Sequence, residues 1–221
     1  MKKTKYIENG TPYEWLDCAT DLWYGAQSLW KNESKVQKLE LDLENKKDPQ
    51  FSHVITRPYF LLTSLCFENL LKGIIISENP NFLENGKLNQ TLSTHNLQKL
   101  AKMAYSISLR ANDWDLLEMA TIAILSAGRY PISKSSQSEF RKLNLKDSIQ
   151  KEITLLYESL SNCLLIKIEK GWNGPENIRM SPIYSPNVEN IPENIKNIPL
   201  SDFLEKQRKV ILKPYVKIKK S

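Results

Sequence analysis

The sequence predicts an all-α fold, an up-and-down bundle of four to five helices followed by an extended, Pro-rich and basic C-terminal tail. Three observations lead to this prediction. Before residue 170, apolar residues recur at steps of three and four along five segments. Residues that begin and end helices flank these segments. After residue 170, six of the eleven prolines occur within a short stretch, where they interrupt regular structure.

The first predicted helix covers 12–31. Thr11 and Glu14 have the spacing of a capping box, and Pro12 occupies the first helical position. Apolar residues then recur with a helical period, at Trp15, Ala19, Leu22, Trp23, Ala26, Leu29 and Trp30. We expect the tryptophan stripe to form core or a dimer seam, because a base-stacking platform would need interleaved basic residues and this helix has none before Lys31.

Residues 31–50 are densely charged, with alternating signs and few apolar side chains (Val36, Leu39, Leu41 and Leu43). A solvated extension of the first helix fits this composition. A short strand with two-residue alternation fits it as well. We favour the helix, because helix is the commoner state.

The second predicted helix covers 56–78 and stops before Pro80. Because it is apolar on most faces, it should be the central helix. The third begins at a Thr94 cap, the fourth runs from Asn112 to Gly128, and the fifth begins at Asp147 or Ser148. The third helix should direct Leu97, Leu100, Ala101, Ala104 and Tyr105 inward. The expected core contains Trp15, Leu22, Phe67, Leu70, Leu71, Leu97, Leu117, Ile124, Leu156 and Leu160.

The chain divides near Gly171 into a helical domain, 1–170, and an extended segment with a basic tail, 171–221. From Glu205 onward the net charge is +6, with seven bases and one acid, while the remainder holds 24 of each. Such a tail can bind RNA or DNA through phosphate contacts. Its basic residues are Lys206, Arg208, Lys209, Lys213, Lys217, Lys219 and Lys220.

Composition also indicates the compartment. The chain has three cysteines, an odd number, and they are widely spaced in apolar helical patterns (Cys18, Cys66 and Cys163). We therefore expect reduced core thiols and a cytoplasmic protein. The basic start is not followed by the apolar region of a secretory signal. Glu68 and Lys72 interrupt the most apolar stretch, which argues against a membrane span.

Several chemistries find no support in the sequence. The glycines do not form a phosphate-binding loop, so no nucleotide cofactor is expected. His53 and His95 lie 42 positions apart without a Cys pair nearby, so no metal site is expected. No spacing singles out a nucleophilic triad.

Polar residues on the second predicted helix require an explanation. A carboxylate buried at Glu68 must find a cationic or hydrogen-bonding partner. Three arrangements fit: an i,i+4 pair with Lys72 on a solvated edge, an inter-helical cluster with His95 or Arg129, or such a cluster that also contacts a ligand. We expect the inter-helical cluster.

Four short motifs follow one another along residues 12–168, and their order resembles that of the HEPN superfamily of prokaryotic helical bundles. They are Leu22-Trp23 with Ala26, Phe67-Glu68-Asn69-Leu70-Leu71-Lys72-Gly73, Thr94-His95-Asn96-Leu97 and Gly128-Arg129-Tyr130-Pro131. The resemblance implies a bundle of four or five helices, often dimeric, from a defence or toxin–antitoxin system. Some members are ribonucleases, and others are non-catalytic partners of nucleotidyltransferases.

Ribonuclease members carry an arginine followed four to six residues later by a histidine, but no histidine follows Arg129. We therefore expect a non-catalytic protein that acts as a homodimer with a partner such as a nucleotidyltransferase or an antitoxin. One alternative is an atypical, metal-independent endoribonuclease that uses Arg129 and His95, with Glu68 or Tyr130 assisting. Another is a module that binds nucleic acid through the basic tail.

Overall fold

The fold is mostly helical, as predicted. The computed structural model describes residues 3–33, 36–42, 47–127 and 145–180. Two small two-stranded sheets accompany the helices in these residues. The α-helices are α1 (Lys3–Glu8), α2 (Pro12–Glu33), α3 (Thr56–Glu78), α4 (Leu97–Met103), α5 (Ala111–Ile122) and α6 (Asp147–Glu169). Short 3₁₀ turns cover Pro80–Gly86, Gln90–Ser93 and Pro175–Asn177.

Helix α3 is the central helix, as its apolar sequence predicts. It packs against α2, α4, α5 and α6, with α2 as its most extensive neighbour. Its length and composition would allow it to cross a membrane, but 72% of its most apolar 18-residue stretch is buried inside the protein. Such burial is typical of the core helix of a soluble protein.

Helix α2 begins where the capping residues predict, because the Glu14 backbone N–H donates to Thr11 Oγ1. Its buried stripe is centred on Leu16, Ala19, Trp23 and Ala26. Trp15 and Leu22, expected in the core, therefore lie at its margin and are half-buried. The other eight expected core residues are buried, namely Phe67, Leu70, Leu71, Leu97, Leu117, Ile124, Leu156 and Leu160.

The cysteines do not share one environment. Cys66 on α3 is buried and Cys163 on α6 is half-buried, whereas Cys18 is exposed. The prediction of three core thiols is therefore wrong for Cys18. This residue lies outside the buried stripe of α2, because it is rotated by about 200° from Leu16 and by about 100° from Ala19.

The preference for a helix over 31–50 is wrong. Helix α2 ends at Glu33, and β1 (Gln37–Asp42) pairs antiparallel with β2 (Lys47–His53). Pro49 lacks the N–H that a continuous helix would need. The alternation of polar and apolar residues in β1 matches the two-residue period of a strand. Leu39 is 53% exposed, so this side chain of β1 lies outside the core.

Helix α4 is shorter than predicted. It begins after Asn96, whose side chain accepts from the Lys99 N–H, so Thr94 is not its cap. It ends at Met103, and Tyr105 is 88% exposed, so the inward placement of Tyr105 is wrong. The backbone N–H of Tyr105 donates instead to a Glu78 carboxylate oxygen, which holds the chain in a non-helical turn.

Helix α5 begins at Ala111 and continues through one π-helical turn, Ala123–Ala127. The predicted stop at Gly128 lies outside the described residues. Helix α6 begins at Asp147, as predicted, and packs against α2, α3 and α5.

The segment after α6 starts against the helical body. Strand β3 (Trp172–Asn173) pairs with β4 (Arg179–Met180), and Trp172 is 5% exposed. Trp172 Nε1 donates to the Ile76 carbonyl at 3.1 Å. This carbonyl lies in the last turn of α3, where backbone acceptors lack helical partners. The first part of the predicted extended segment thus packs on the core, and residues 181–221, including the tail, lie outside the described residues.

Gly73 lies where three helices approach closely. A Cβ atom there would stand 2.8 Å from Leu164 Cδ2 on α6 and 2.9 Å from Trp15 Cβ on α2. We expect Gly73→Ala to lower the free energy of unfolding by about 1 to 3 kcal/mol, because both neighbours must move. The measurement is a urea melt.

Gly25→Ala is the matched control for this substitution. Gly25 is also in a helix, but a Cβ atom there would meet Leu62 Cδ1 at 3.5 Å, an ordinary contact. The better helix propensity of alanine should make Gly25→Ala neutral or stabilising by up to about 1 kcal/mol. Equal effects of the two substitutions would show that α3 is not tightly packed at Gly73.

Candidate functional site

The candidate site begins with a carboxylate in the middle of the central helix. Glu68 is 7% exposed, with apolar neighbours on the same helix such as Phe67 and Leu71. An ionised carboxylate in such surroundings requires donors within hydrogen-bond distance. The structure provides them from two different elements.

The first donor comes from α3 itself. Lys72 Nζ lies 2.6 Å from Glu68 Oε1, and the side chains are 7% and 9% exposed, respectively. The two residues are four apart in sequence, so one helical turn brings them together. The sequence interpretation that placed this pair on a solvated edge is wrong, because both side chains are buried.

The second donor comes from the turn before α4. His95 Nδ1 lies 2.9 Å from Glu68 Oε2, across 27 positions of sequence. Two local bonds fix this turn: Thr94 Oγ1 accepts the Asn96 N–H, and Asn96 Oδ1 accepts the Lys99 N–H. The predicted pairing of Glu68 with His95 is present. We call Glu68, Lys72 and His95 the Glu68 cluster.

The Glu68 cluster has a buried end and an open end. The buried end is the Lys72 side chain, which is 7% exposed. The open end is the His95 side chain, which is 46% exposed. A carboxylate on Nδ1 fixes the orientation of the imidazole and favours the tautomer with a proton on Nδ1. Within the described ranges, Nε2 has no protein partner. The arrangement can join α3 to the start of α4, and it can also hold an imidazole ready for proton transfer.

The remaining predicted site residues lie outside the described residues. These are Arg129 and Tyr130 and the tail residues Lys206, Arg208, Lys209, Lys213, Lys217, Lys219 and Lys220. Whether Arg129 or Tyr130 approaches His95 stays a prediction. Among residues 3–33, 36–42, 47–127 and 145–180, no group of three His, Cys, Asp or Glu side chains is arranged to hold a metal ion.

A second polar cluster, which the sequence did not predict, surrounds Glu78 at the end of α3. Its oxygens accept the backbone N–H groups of Tyr105 and Ser106 and the Ser106 hydroxyl. Lys167 Nζ, on α6, lies 3.1 Å from Glu78 Oε1. Burial alone would raise the pKa of Glu78, but the Ser106 hydroxyl, the Tyr105 N–H and Lys167 together bring it below the usual value. Its backbone and hydroxyl donors come from an irregular loop, so no periodicity reveals them.

This depressed pKa predicts a pH dependence of stability. A carboxylate with a lowered folded-state pKa stabilises the fold above its unfolded pKa, which is about 4.3 for glutamate. That stabilisation disappears as the pH falls through the folded-state value. Glu78→Gln should therefore be less stable than wild type at pH 7, and the difference should shrink below about pH 4.

Denaturant melts from pH 7 to pH 3 test this prediction. Glu169→Gln on exposed α6 surface is the control and should follow the wild-type profile. A constant difference between wild type and Glu78→Gln at every pH would show that the Glu78 charge does not stabilise the fold.

Comparisons with family models, with curated proteins and with solved structures find no match to this chain. The HEPN resemblance therefore stays a prediction that rests on the four short motifs.

Proposed function

We propose that this chain is a HEPN-like, non-catalytic interaction protein of a bacterial defence or toxin–antitoxin system. It acts in the cytoplasm as a homodimer that binds a partner protein, such as a nucleotidyltransferase or an antitoxin. Its helices form an up-and-down bundle of four to five members, and the basic tail extends beyond that bundle. RNA is an additional ligand of this assembly.

One observation supports the proposal most strongly. Glu68 belongs to the second motif of the HEPN resemblance and His95 to the third, and these two side chains lie 2.9 Å apart. The two residues are 27 positions apart, so their contact ties two separate segments of the chain together. The contact gives two of the four motifs a shared structural role.

The non-catalytic role follows from the sequence after Arg129. The ribonuclease pattern requires a histidine four to six residues later, and those positions hold Ser133, Lys134 and Ser135. The Glu68 carboxylate is already engaged by Lys72 on its other oxygen. With both oxygens bonded, the carboxylate joins α3 to the turn before α4. We assign the partner-binding role to the fourth motif, Gly128-Arg129-Tyr130-Pro131.

Co-expression with the products of the adjacent genes tests this function. A complex should form at defined stoichiometry, measured by native mass spectrometry, with two copies of this chain. Arg129→Ala should weaken it, whereas Arg57→Ala, at an exposed position near the start of α3, should leave it unchanged. A monomer that forms no complex with any neighbouring product would contradict the proposal.

A second candidate, an atypical metal-independent endoribonuclease, is favoured by the open end of the Glu68 cluster. An imidazole that is 46% exposed and held at Nδ1 by a carboxylate can exchange protons through Nε2. In this case Arg129 would bind phosphate and His95 would transfer the proton. Substitution of His95 separates this candidate from the first, because it would abolish cleavage.

A further inference from the structure

The sheet formed by β1 and β2 has only these two strands within the residues that the structure describes. Each strand therefore has an outer edge, and an exposed edge can pair with a further strand. Gln37, Lys38 and Leu39 of β1 are all exposed, and β1 packs extensively against no described element other than β2. A two-stranded sheet is only marginally stable in water, so a further strand would stabilise it.

The two outer edges differ in their ability to pair. Between the paired residues Glu40–Gln50 and Asp42–Lys47, β1 has one residue and β2 has two, so the bulge lies in β2. Strand β2 also contains Pro49, which has no N–H to donate. Bulges and prolines are features that block pairing at an edge. Strand β1 contains neither, so its edge is the one open to another strand.

The hydrogen bonds show which groups of β1 face this open edge. The Val54 N–H donates to the Val36 carbonyl at 3.1 Å, so the backbone groups of Val36 face β2. In an antiparallel pair, successive residues direct their N–H and C=O alternately toward the partner strand and away from it. Leu39, three residues after Val36, therefore directs its N–H and C=O to the outer edge.

We propose that β1 pairs antiparallel with β1 of a second copy of this chain, about a two-fold axis at Leu39. The inference rests on the homodimer of the proposed function and assigns a surface to it. In this register Leu39 lies opposite Leu39 of the second copy. Lys38 lies opposite Glu40 of the second copy, once on each side of the axis. Opposite charges at facing positions stabilise strand pairing, and like charges destabilise it.

The charges of β1 also argue against the neighbouring register. A two-fold axis at Leu41, two positions along the same edge, would place Glu40 opposite Asp42 of the second copy, which is a like-charge pair. The axis at Leu39 uses the same patch of both copies, so the assembly closes at two copies. The result is a four-stranded sheet in the order β2–β1–β1–β2, with the bulge and Pro49 on its outer strands.

Charge reversal on β1 tests this proposal. Sedimentation of the full chain over a concentration series gives the dimer dissociation constant of wild type, Lys38→Glu and Glu40→Lys. Each reversal places like charges opposite each other on both sides of the axis, and it should weaken the dimer by about tenfold. An equimolar mixture of the two variants should dimerise with nearly wild-type affinity, because each copy then carries the charges that complement the other.

Lys102→Glu is the control, because Lys102 is exposed on α4, and it should leave dimerisation unchanged. Thermal melts establish that each variant is folded. A wild-type dimer that neither reversal weakens would overturn the β1 surface and leave the homodimer of the proposed function standing. A wild type that stays monomeric at every concentration would overturn both. Weakening by each reversal without recovery in the mixture would overturn the pairing of Lys38 with Glu40.

Discussion

Replacing Glu68 with glutamine should lower the free energy of unfolding by about 3 to 5 kcal/mol. The Lys72 side chain is 7% exposed, and the substitution removes the counter-charge that now lies 2.6 Å from its ammonium. It also weakens the bond to His95 that joins α3 to the turn before α4. Urea melts at pH 7 measure the loss, with Glu169→Gln as an exposed control that should change stability by less than about 0.5 kcal/mol.

A double substitution separates the cost of the stranded ammonium from the value of the pair. Glu68→Gln combined with Lys72→Met removes the uncompensated charge and should recover most of the stability, because an apolar side chain can replace a buried ion pair at little cost. A loss of less than about 1 kcal/mol in Glu68→Gln alone would place the carboxylate in solvent and contradict the buried cluster.

Trp23→Ala should lower the free energy of unfolding by about 3 to 5 kcal/mol. The Trp23 side chain is 2% exposed, and its ring stacks on Tyr157 with a centroid separation of 3.9 Å and an interplanar angle of 6°. The substitution removes this ring from the junction between α2 and α6 and leaves a void that the surrounding helices cannot fill.

Trp23→Phe is the matched variant, because it keeps an aromatic ring against Tyr157 and removes less volume. It should retain well over half of the stability that Trp23→Ala loses. Thermal melts followed by far-ultraviolet circular dichroism give both values. If Trp23→Ala unfolds like wild type, the tryptophan does not connect these helices.

The long helices were predictable, because each has enough residues to show a helical apolar period. The bounds of α3 match the sequence prediction, because Pro58 in its first turn and Pro80 just after its end are local signals. The start of α6 matches for the same reason. Helix α1 was not predicted, because six residues are too few to show a helical period.

The β1–β2 pair was missed because the composition of 31–50 fits a helix and a strand equally well. The end of α4 depends on the Glu78 carboxylate, which comes from another helix and accepts from Tyr105. A contact between residues so far apart in sequence cannot be predicted from the local sequence pattern. A tertiary contact thus decided the end of α4, while apolar periods and local end signals decided the long helices.

The candidate site was partly predictable for a chemical reason. A carboxylate on an apolar helix must have a partner, which drew attention to Glu68 and from there to His95. The Glu78 cluster gave no such signal, because Glu78 lies at the end of α3, where a solvated carboxylate is common.

Incubation of the purified chain with structured RNA and transfer RNA tests the non-catalytic account most directly. Wild type, Arg129→Ala and His95→Ala are compared, with Arg57→Ala as a control. We expect no cleavage above background in any of them, because the histidine that would follow Arg129 is absent and proton transfer contributes about 10²- to 10⁴-fold to such reactions. Cleavage by wild type and by Arg57→Ala that both Arg129→Ala and His95→Ala eliminate would contradict this account and establish an atypical ribonuclease.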